Sequence, residues 1–479
     1  AEMQDLLLRF AEANPDELGP EILDQTGLAA DVKPLKDVYV QDVRDALWVL
    51  LGTVGFVLLI ACANVANLFL VRAESRRREQ AMRTAMGASR SDIIRQYLTE
   101  SVTLAMVGGL LGLGLAYFGV KGLLALAPAE LPASFDIGID GSVLAFTAGI
   151  SLFAGILFGL FPVFGYGQRD LSNALKDGNR SSTTGRERHR ARKVLAVGQV
   201  ALALMLLVGS GLMLRSFVAL RSVDPGFDPS GLLTFRFALP GAEYNDPHQA
   251  LTFQRDLADR LAATPGVQGV GMINGLPLSD SKSAGPMVPE DNPLPEDQLG
   301  PIVERRSITP GYLEVMNIPI LEGRGLEWED QADAFRGIVV SETLARIFWP
   351  DETAVGRRIR NQGSDHAWEV VGVAGDVRFD DVQDEPLAMA YFPSLAGGPE
   401  EIRPTLSMDV VVNVAGDPLD AISGAREALW VVNPRLPMIN PRTVESVVKD
   451  SMAATSFTVL LLGIAAGIAL LLGTVGIYG

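Results

Sequence analysis

Five long apolar stretches constrain this sequence more than any other feature. They run from Leu47 to Val71, Val102 to Leu124, Val143 to Phe164, Val194 to Leu214 and Phe457 to Gly479. A bilayer core about 30 Å thick requires roughly 20 apolar residues in a helix, because every backbone polar group must be satisfied within the segment. The sequence therefore predicts a multi-spanning α-helical membrane protein with five transmembrane helices, and we expect the last helix to be cut at the chain end.

The segments that connect these stretches differ in their basic residues. Residues 72–95 contain seven Arg and residues 169–193 contain eight Lys or Arg, whereas residues 125–141 contain none. Cytoplasmic loops of membrane proteins carry an excess of Lys and Arg. The pattern places the segment 72–97 and a basic linker, 165–193, in the cytoplasm. Residues 1–46 and 217–452 are then predicted to lie on the outer face.

The acidic residues are concentrated in one of these outer segments. The chain carries a net charge of -17, and residues 221–450 contain 19 Lys and Arg against 36 Asp and Glu, whereas the other residues contain 21 of each sign. A nucleic-acid partner requires a basic surface, so this composition excludes that class of function. An acidic block of this size indicates a solvated domain outside the membrane.

The outer segment has the pattern of a mixed α/β domain, with short β-like runs, helical runs and frequent Pro and Gly between them. The predicted strands are Leu232–Ala238, Val267–Ile273, Gly337–Val340, Trp368–Ala374 and Met408–Val414. The predicted helices are His248–Ala263, Ser341–Phe348 and Pro418–Val432, with caps at Ser341 and Asp417. Residues 276–300 contain five Pro and are predicted to form a loop. The length of the block favours two subdomains.

The sequence shows no arrangement of side chains typical of an enzyme or a metal site. Cys62 is the single cysteine, and the three histidines, at 189, 248 and 366, lack ligand spacing. The phosphate-binding motif GxxxxGK[ST] does not occur in this sequence. Acidic pairs such as Glu329-Asp330 and Asp380-Asp381 are better explained as a solvated surface than as acid/base residues. We therefore expect no catalytic residues, metal or cofactor in this chain.

The basic segment after the first span has a helical, amphipathic pattern. An apolar stripe on this helix would consist of Met82, Met86, Ile93 and Ile94. The rest of the amphipathic stretch contains Arg72, Glu79, Arg83 and Gly87. The Arg residues alone would be explained by membrane topology. The spacing favours a helix at the membrane surface that serves as a docking site.

Small residues recur at close-packing intervals within the spans, at Gly108 and Gly112 and at Gly155 and Gly159. Such pairs allow helices to approach closely in lipid. We predict that these four glycines pack against another span or a second copy.

The two ends of the chain resemble each other in the order of their features. Each contains an Asn-Pro, at Asn14-Pro15 and Asn433-Pro434, then a later Pro and a span entered after Val43-Arg44-Asp45 or Val448-Lys449-Asp450. This order favours duplication. Residues 1–46 are then predicted to be the C-terminal end of a first outer domain.

Residues 79–88 resemble the Glu-Ile-Gly-Ile-Arg-x-Ala-x-Gly-Ala stretch of the MacB/FtsX-like permeases. Five residues match this stretch at the same spacing: Glu79, Arg83, Ala85, Gly87 and Ala88. The sequence departs from the stretch at Gln80 and Ala81, where Ile and Gly are usual. Further short sequence motifs typical of the family begin at Ala174, Gly198, Val223 and Thr309. Residues 217–452 are similar to a MacB-type periplasmic core domain. The two copies in one chain, joined by a basic linker, resemble the duplicated orphan permeases of this family.

The resemblance implies the permease subunit of a macrolide-exporter-type ABC transporter in a bacterial inner membrane. In that family a cytoplasmic ABC ATPase subunit uses ATP and Mg and pushes on a short coupling helix, and long helices carry the movement to the outer domain. Arg72 and the five matching residues would then contact the ATPase, and an antimicrobial, a peptide or a lipoprotein would be exported.

The resemblance also implies that a periplasmic adaptor or substrate protein is a further partner. The alternative is a non-transporting scaffold or signalling protein of the FtsX type, which relays force to an extracytoplasmic partner. An enzyme on the outer face is supported by no motif.

Overall fold

A computed structural model of the chain describes most of the spans and the outer domain. The described residues are 44–75, 89–126, 140–164, 182–279, 283–292, 298–331, 337–364, 366–380, 385–395 and 405–478, with residues 6, 9, 10, 82, 86, 138 and 295. The chain divides into two compact units, one of residues 1–37 and 219–453 and the other of residues 38–218 and 454–479. We call the first the outer unit and the second the membrane unit. The predicted first outer domain, residues 1–46, lies almost entirely outside the described residues.

In its described residues, the membrane unit contains five long helices. They are α1 (Arg44–Ser75), α2 (Arg90–Leu126), α3 (Gly141–Phe164), α4 (Ser182–Arg221) and, after the outer unit, α10 (Ala453–Tyr478), with the ends of α4 and α10 assigned to the outer unit. Among the described residues, four helices are long and apolar enough to cross a membrane, at Leu47–Leu68, Ile94–Gly122, Lys193–Arg221 and Thr455–Gly476. The apolar part of α3, Gly141–Leu157, is shorter. The structure thus supports four of the five predicted spans by length and composition.

The outer unit contains eleven strands and five α-helices in the described residues. The strands are β1 (Leu232–Ala238), β2 (Val267–Ile273), β3 (Ala284–Pro289), β4 (Ile302–Ile308), β5 (Ile320–Gly323), β6 (Gly337–Ser341), β7 (Arg358–Asn361), β8 (Ala367–Ala374), β9 (Met389–Pro393), β10 (Ser407–Val414) and β11 (Ile439–Thr443). The helices are α5 (Pro247–Ala262), α6 (Tyr312–Val315), α7 (Glu342–Phe348), α8 (Ile422–Val432) and α9 (Val444–Ser451). Single 3₁₀ turns occur at Trp328–Gln331 and Pro418–Ala421.

All eleven strands belong to one sheet with two differently shaped parts. The order is β11-β1-β10-β2-β4-β3-β7-β8-β6-β9, with β5 paired to β8. Because β4 also pairs with β9, the strands β4, β3, β7, β8, β6 and β9 form a closed ring. The strands β11, β1, β10 and β2 form an open part. The two parts meet at β2 and β4, where the ladder consists of the pair Ile273–Ile308.

Both parts of the sheet have their own apolar core. In the open part, Leu233, Phe235 and Phe237 of β1 point toward α5 and α8 and are almost fully buried. In the ring, Ile338 and Val370 belong to a core that also contains residues of α7. The burial of alternate residues on each strand follows from the period of two in a β-strand. The predicted count of two subdomains remains a prediction, since the outer unit is one compact body.

The five predicted strands and the first two predicted helices of the outer unit are confirmed within one residue at each end. The predicted caps are also confirmed, because the Ser341 hydroxyl accepts a hydrogen bond from the Leu344 N–H and the Asp417 carboxylate accepts one from the Leu419 N–H. The 3₁₀ turn at Pro418 precedes α8, so the third predicted helix has two segments.

The prediction of a continuous loop over residues 276–300 is wrong, because β3 lies within it. This strand pairs with β4 through residues 284–286 and with β7 through residues 287–289. Pro286, which has no backbone N–H, stands where the strand changes partner, and its carbonyl accepts a hydrogen bond from the Gln362 N–H at 3.0 Å. Prolines are unusual inside strands, so the Pro-rich sequence indicates a loop rather than a strand. One partner of this strand, β7, is also remote in the chain.

Candidate functional site

The residues of the predicted coupling segment lie between α1 and α2. Arg72 belongs to the last turn of α1, but its side chain is outside the described residues, as are Glu79, Arg83, Ala85, Gly87 and Ala88. Met82 and Met86 are described, with 60% and 81% of their surfaces exposed. The Met86 N–H donates to the Met82 carbonyl at 3.0 Å, which is the hydrogen bond of a helical turn. The assignment of an ATPase contact to this segment remains a prediction.

Helix α2 begins directly after this segment with a side-chain cap. The Ser89 N–H and hydroxyl both donate to the Asp92 carboxylate, at 3.0 and 2.6 Å, and the Asp92 N–H donates back to the Ser89 hydroxyl at 3.3 Å. The hydrogen bonds from Ser89 lower the pKa of the Asp92 carboxyl. A negative charge at a helix N-terminus also interacts favourably with the helix dipole. The first turn of α2 is therefore well defined.

A polar stripe continues along α2 from this cap. An open groove of about 720 Å³ is lined by Asp92, Arg95, Gln96, Thr99, Glu100, Thr103 and Leu104. The hydroxyls of Thr99 and Thr103 donate to carbonyls one turn earlier in the same helix, at 2.6 and 2.7 Å. Those hydroxyls are thus satisfied by their own helix as the stripe enters the candidate span that begins at Ile94.

Three helices of the membrane unit meet at two side-chain amides. The Asn64 amide of α1 and the Gln199 amide of α4 both donate to the backbone carbonyl of Leu472 in α10, at 2.7 and 2.9 Å. Asn64 is 7% exposed and Gln199 is 4% exposed. We call Asn64, Gln199 and the Leu472 carbonyl the amide node. Hydrogen bonds between helices in lipid contribute about 0.6–2 kcal/mol each.

The amide node depends on a glycine in α10. A Cβ at Gly476 would lie 1.9 Å from the Asn64 Oδ1 and 2.4 Å from the Gln199 Nε2, so a larger residue there would displace both amides. A small apolar cluster of Ile60, Leu206 and Ala469 packs the same three helices. The Ser210 hydroxyl also donates to the Leu462 carbonyl at 3.1 Å, which joins α4 to α10 a second time.

Sequence reasoning missed the amide node. A signal was present, because Asn64 and Gln199 are amides within apolar spans, where polar side chains are rare and usually face other helices. Nothing in the sequence identifies the Leu472 carbonyl as their shared acceptor.

The four glycines predicted to pack between helices have different surroundings. A Cβ at Gly155 would lie 2.9 Å from the Val102 Cα, so α3 approaches the backbone of α2 closely at this point. A Cβ at Gly108 or Gly112 would meet no described atom within 4 Å. Gly159 lies in a part of α3 whose surroundings are not described. Gly109, which was not predicted, faces Ser151 instead. The packing role of Gly108 and Gly112 remains a prediction.

The family-like sequence motif that begins at Thr309 lies where the two parts of the outer sheet, β2 and β4, meet. The Thr309 N–H donates to the Met272 carbonyl at 3.0 Å, and the Thr309 hydroxyl accepts from the Met272 N–H at 2.9 Å. Gly311 has a φ of 84°, which favours glycine, and a Cβ there would lie 2.7 Å from the Val270 carbonyl oxygen. Tyr312 is fully buried against Gly271, where a Cβ would lie 2.4 Å from the Tyr312 Cα. These contacts fix α6 across β2.

A buried ionic group lies close to this junction. Arg306 of β4 is fully buried, forms an ion pair with Glu304 and donates to the Asn274 carbonyl at 3.3 Å. Its guanidinium lies 4.1 Å from the centroid of the Phe379 ring. Burial lowers the pKa of Arg306, whereas the Glu304 charge opposes that shift, and burial raises the pKa of Tyr391. The group connects β4 to the loop after β2 and to the segment after β8.

Within the described parts of the chain, no three His, Cys, Asp or Glu side chains come together as a metal site. Of the acidic pairs named from the sequence, Asp330 is buried and forms an ion pair with Arg324 through a contact of 2.6 Å, whereas Asp381 lies outside the described residues. Asp330 is therefore explained as a structural partner of Arg324.

Two known families match consecutive parts of the chain. Residues 52–170 match the family described as FtsX-like permease C-terminal. Residues 194–427 match the MacB-like periplasmic core domain. The first match contains the coupling segment and α2, and the second contains most of α4 and the outer unit through β10.

Curated relatives share about a quarter of the chain. An uncharacterized ABC transporter permease, YknZ of Bacillus subtilis, is 34% identical over 122 residues, or 26% of this chain and 29% of that protein. The macrolide export ATP-binding/permease protein MacB of Rhodospirillum rubrum is 39% identical over 124 residues, or 26% and 18%. The pyoverdine export ATP-binding/permease protein PvdT of Pseudomonas fluorescens is 36% identical over 120 residues, or 25% and 17%. The chain thus spans less than a third of the length of these relatives.

Solved structures of outer domains align with nearly half of the chain. The periplasmic region of MacB from Actinobacillus actinomycetemcomitans aligns with 47% of this chain and 93% of its own, at 15% identity and a TM-score of 0.32. The extracellular domain of YknZ aligns with 43% of this chain and 100% of its own, at 17% identity and a TM-score of 0.29.

Proposed function

We propose, because this chain belongs to the MacB/FtsX-like ABC transporter permeases, that it couples ATP hydrolysis in a cytoplasmic ATPase to movement of its outer domain. The observation that carries the proposal is the arrangement of the two matched families. The FtsX-like part contains the coupling segment between α1 and α2, and the MacB-like part lies in the chain between the long helices α4 and α10. One chain therefore contains an ATPase-facing segment and an outer domain linked by helices.

The lengths of the helices support transmission of movement. Helix α1 has 32 residues and α2 has 37. At a rise of 1.5 Å per residue they are about 48 and 55 Å long, compared with a bilayer core of about 30 Å. A helix longer than the core extends beyond it as a rigid rod. Such helices suit a mechanism in which the substrate does not pass between the spans.

The proposal includes features that the sequence alone indicates. All five apolar helices cross the bacterial inner membrane, the outer unit has two subdomains in the periplasm, and residues 1–46 end a first copy of that domain. The proposed substrate is an antimicrobial, a peptide or a lipoprotein, in keeping with the names of relatives that export macrolides or pyoverdine. ATP and Mg are used by the ATPase subunit, and a periplasmic adaptor or substrate protein binds the outer unit.

The experiment that tests the proposal alters the coupling segment. The double variant Arg83→Glu with Gly87→Trp reverses a charge and adds bulk on the predicted docking helix. We expect it to abolish co-purification with the ATPase while membrane insertion is unchanged. The matched control is Arg186→Glu with Gly185→Trp, which makes the same changes in the basic linker. Equal ATPase binding by the coupling variant and the control would contradict the docking assignment.

The second candidate function is the non-transporting FtsX-type scaffold, with which the FtsX-like match is equally compatible. Both candidates bind an ATPase, so co-purification does not separate them. Efflux of erythromycin from cells that contain the chain and its ATPase separates a macrolide exporter from a scaffold. ATPase binding without efflux of a macrolide, a peptide or a lipoprotein would favour the scaffold.

A further inference from the structure

The amide node joins three helices with different continuations in the chain. Helix α1, which carries Asn64, leads into the coupling segment. Helix α4, which carries Gln199, leads into the outer unit, and α10, which carries Leu472, follows it. The node therefore connects the helix next to the proposed ATPase contact with both helices that flank the outer domain.

The geometry of the node specifies an axial register. Two amides from different helices donate to one carbonyl, at 2.7 and 2.9 Å. A slip of α10 by one residue, about 1.5 Å along the axis with about 100° of rotation, would bring the carbonyl of an adjacent residue to the same place. Lipid supplies no hydrogen-bonding groups for the amides, so they need a helix carbonyl in every register. The register is therefore set by the residue beside the amides, because Val475 or Ile477, which have a Cβ, would replace Gly476 in a neighbouring register.

The close approach at Gly476 is the basis of this constraint. The site one turn after Leu472 lacks a side chain, and the amides of Asn64 and Gln199 occupy the space that a Cβ would fill. Elsewhere on the same helix, a Cβ at Gly463 or Gly467 would meet no described atom within 4 Å, and a Cβ at Gly473 would meet the Ala203 Cβ at an ordinary distance of 3.9 Å. The need for glycine is thus specific to the node.

Stability alone does not explain two amides at this position. The Oδ1 of Asn64 is buried and has no hydrogen-bond partner among the described residues, which is a cost. A partly satisfied polar network is less favourable than an apolar contact of the same shape. The apolar cluster of Ile60, Leu206 and Ala469 already packs these helices. The amides therefore contribute specificity of register rather than additional burial.

We infer that Asn64 and Gln199 are positioning residues which clamp α1, α4 and α10 into one axial register. Displacement of α1 at its cytoplasmic end is then passed to both helices that flank the outer domain. This role rests on the proposed function, because it assumes that an ATPase moves α1. The existence of the clamp itself does not depend on the ATPase.

A disulfide pair across α4 and α10 reports the register. The Cβ of Ala203 lies 3.9 Å from a Cβ built at Gly473, within the range of 3.5–4.5 Å found in disulfides. Cys62 is the single native cysteine, so the full-length chain carries Cys62→Ser with Ala203→Cys and Gly473→Cys. The rate of oxidative cross-linking is measured in native membranes with the ATPase, first without nucleotide and then with ATP and vanadate.

The clamp variants are Asn64→Leu with Gln199→Leu, and separately Gly476→Ala. Without nucleotide we expect cross-linking about tenfold slower in both, because loss of a register preference of about 1.4 kcal/mol lowers the population of the cross-linking register about tenfold. The controls are Thr53→Val, which removes a hydroxyl bonded within α1 to Val49, and Gly467→Ala. Both controls should retain the parent rate. Parent rates in both clamp variants would overturn the clamp.

The nucleotide comparison separates positioning from a structural role. In the parent chain the rate should be the same in both nucleotide states, since the helices move together. In the clamp variants it should fall further with ATP and vanadate, because displacement of α1 then reaches α4 and α10 unequally and shifts one against the other. A nucleotide-dependent rate in the parent, or no nucleotide effect in the variants while the ATPase hydrolyses ATP, would overturn the positioning role. Failure of the ATPase to co-purify would refute the proposed function, and the nucleotide-free rates would still test the clamp.

Discussion

The membrane unit and the outer unit use apolar residues in opposite ways. In the outer unit, β1 buries Phe235 and Phe237 completely between the sheet and two helices. In the membrane unit, Leu115 and Phe118 in the C-terminal third of a candidate span on α2 have 76% and 71% of their surfaces exposed. The difference follows from the solvent, because water favours apolar burial whereas lipid is as apolar as the side chains.

The two units consequently specify their structures by different interactions. The outer unit has extended cores and a fully buried ion pair, Arg306–Glu304. Within the described part of the membrane unit, the apolar core cluster is small, and α1, α4 and α10 are joined by hydrogen bonds from amide and hydroxyl groups to helix carbonyls. Polar contacts in the outer unit are thus added to a core, whereas in the membrane unit they select the arrangement of helices.

The largest expected effect is the loss of a buried charge partner in the outer unit. Glu304→Ala leaves Arg306 buried without its carboxylate, and we expect the outer unit to lose about 3–5 kcal/mol of unfolding free energy. Glu290→Ala is the control, because Glu290 and Arg358 form an exposed pair at 3.0 Å and the loss should be under about 1 kcal/mol. Urea unfolding of the full chain, followed by tryptophan fluorescence, measures both. Similar losses would mean that burial of the pair is unimportant.

A smaller effect is expected from added bulk at the junction of the outer sheet. Gly271→Ala places a Cβ 2.4 Å from the Tyr312 Cα, and backbone atoms there cannot move independently. The expected loss is about 1–3 kcal/mol, as for overpacked cores. Gly325→Ala, where a Cβ meets nothing within 4 Å, is the matched control. If the same urea experiment shows no difference between the two variants, the contact of α6 with β2 is looser than described.

The smallest effect is expected from the same kind of change in the membrane unit. Gly155→Ala places a Cβ 2.9 Å from the Val102 Cα, but α2 and α3 can separate into lipid without exposing apolar surface to water. We expect a loss of about 1 kcal/mol, or about a fivefold lower population of the packed pair.

The reporter for this change is a second cysteine pair in the Cys62→Ser chain. A Cβ at Gly109 lies 3.2 Å from the Ser151 Cβ, so cross-linking of Gly109→Cys with Ser151→Cys follows α2 and α3. Gly112→Ala, which meets no described atom, should leave the rate unchanged in the isolated chain. A lower rate for Gly112→Ala in the complete transporter would instead support its predicted role in contacting another subunit.

Several parts of the fold were predictable because they depend on local sequence. Strand β1 alternates between two buried faces, and Ser341 and Asp417 accept hydrogen bonds from helical N–H groups a few residues ahead. Strand β3 was not predictable, because its prolines indicate a loop and half of it pairs with β7, which is remote in the chain. The closing of the ring by β4 and β9 is also a long-range pairing.

The sequence by itself determined the chemical class of each segment: apolar stretches that suit lipid, basic connecting segments, and an acidic domain that suits water. Hydropathy, charge and periodicity are properties of neighbouring residues, so no tertiary information is needed for them. Only the tertiary structure decided which polar groups meet. Asn64, Gln199 and Leu472 are separated by up to 408 residues, and the register that brings them together is set by the packing of three helices.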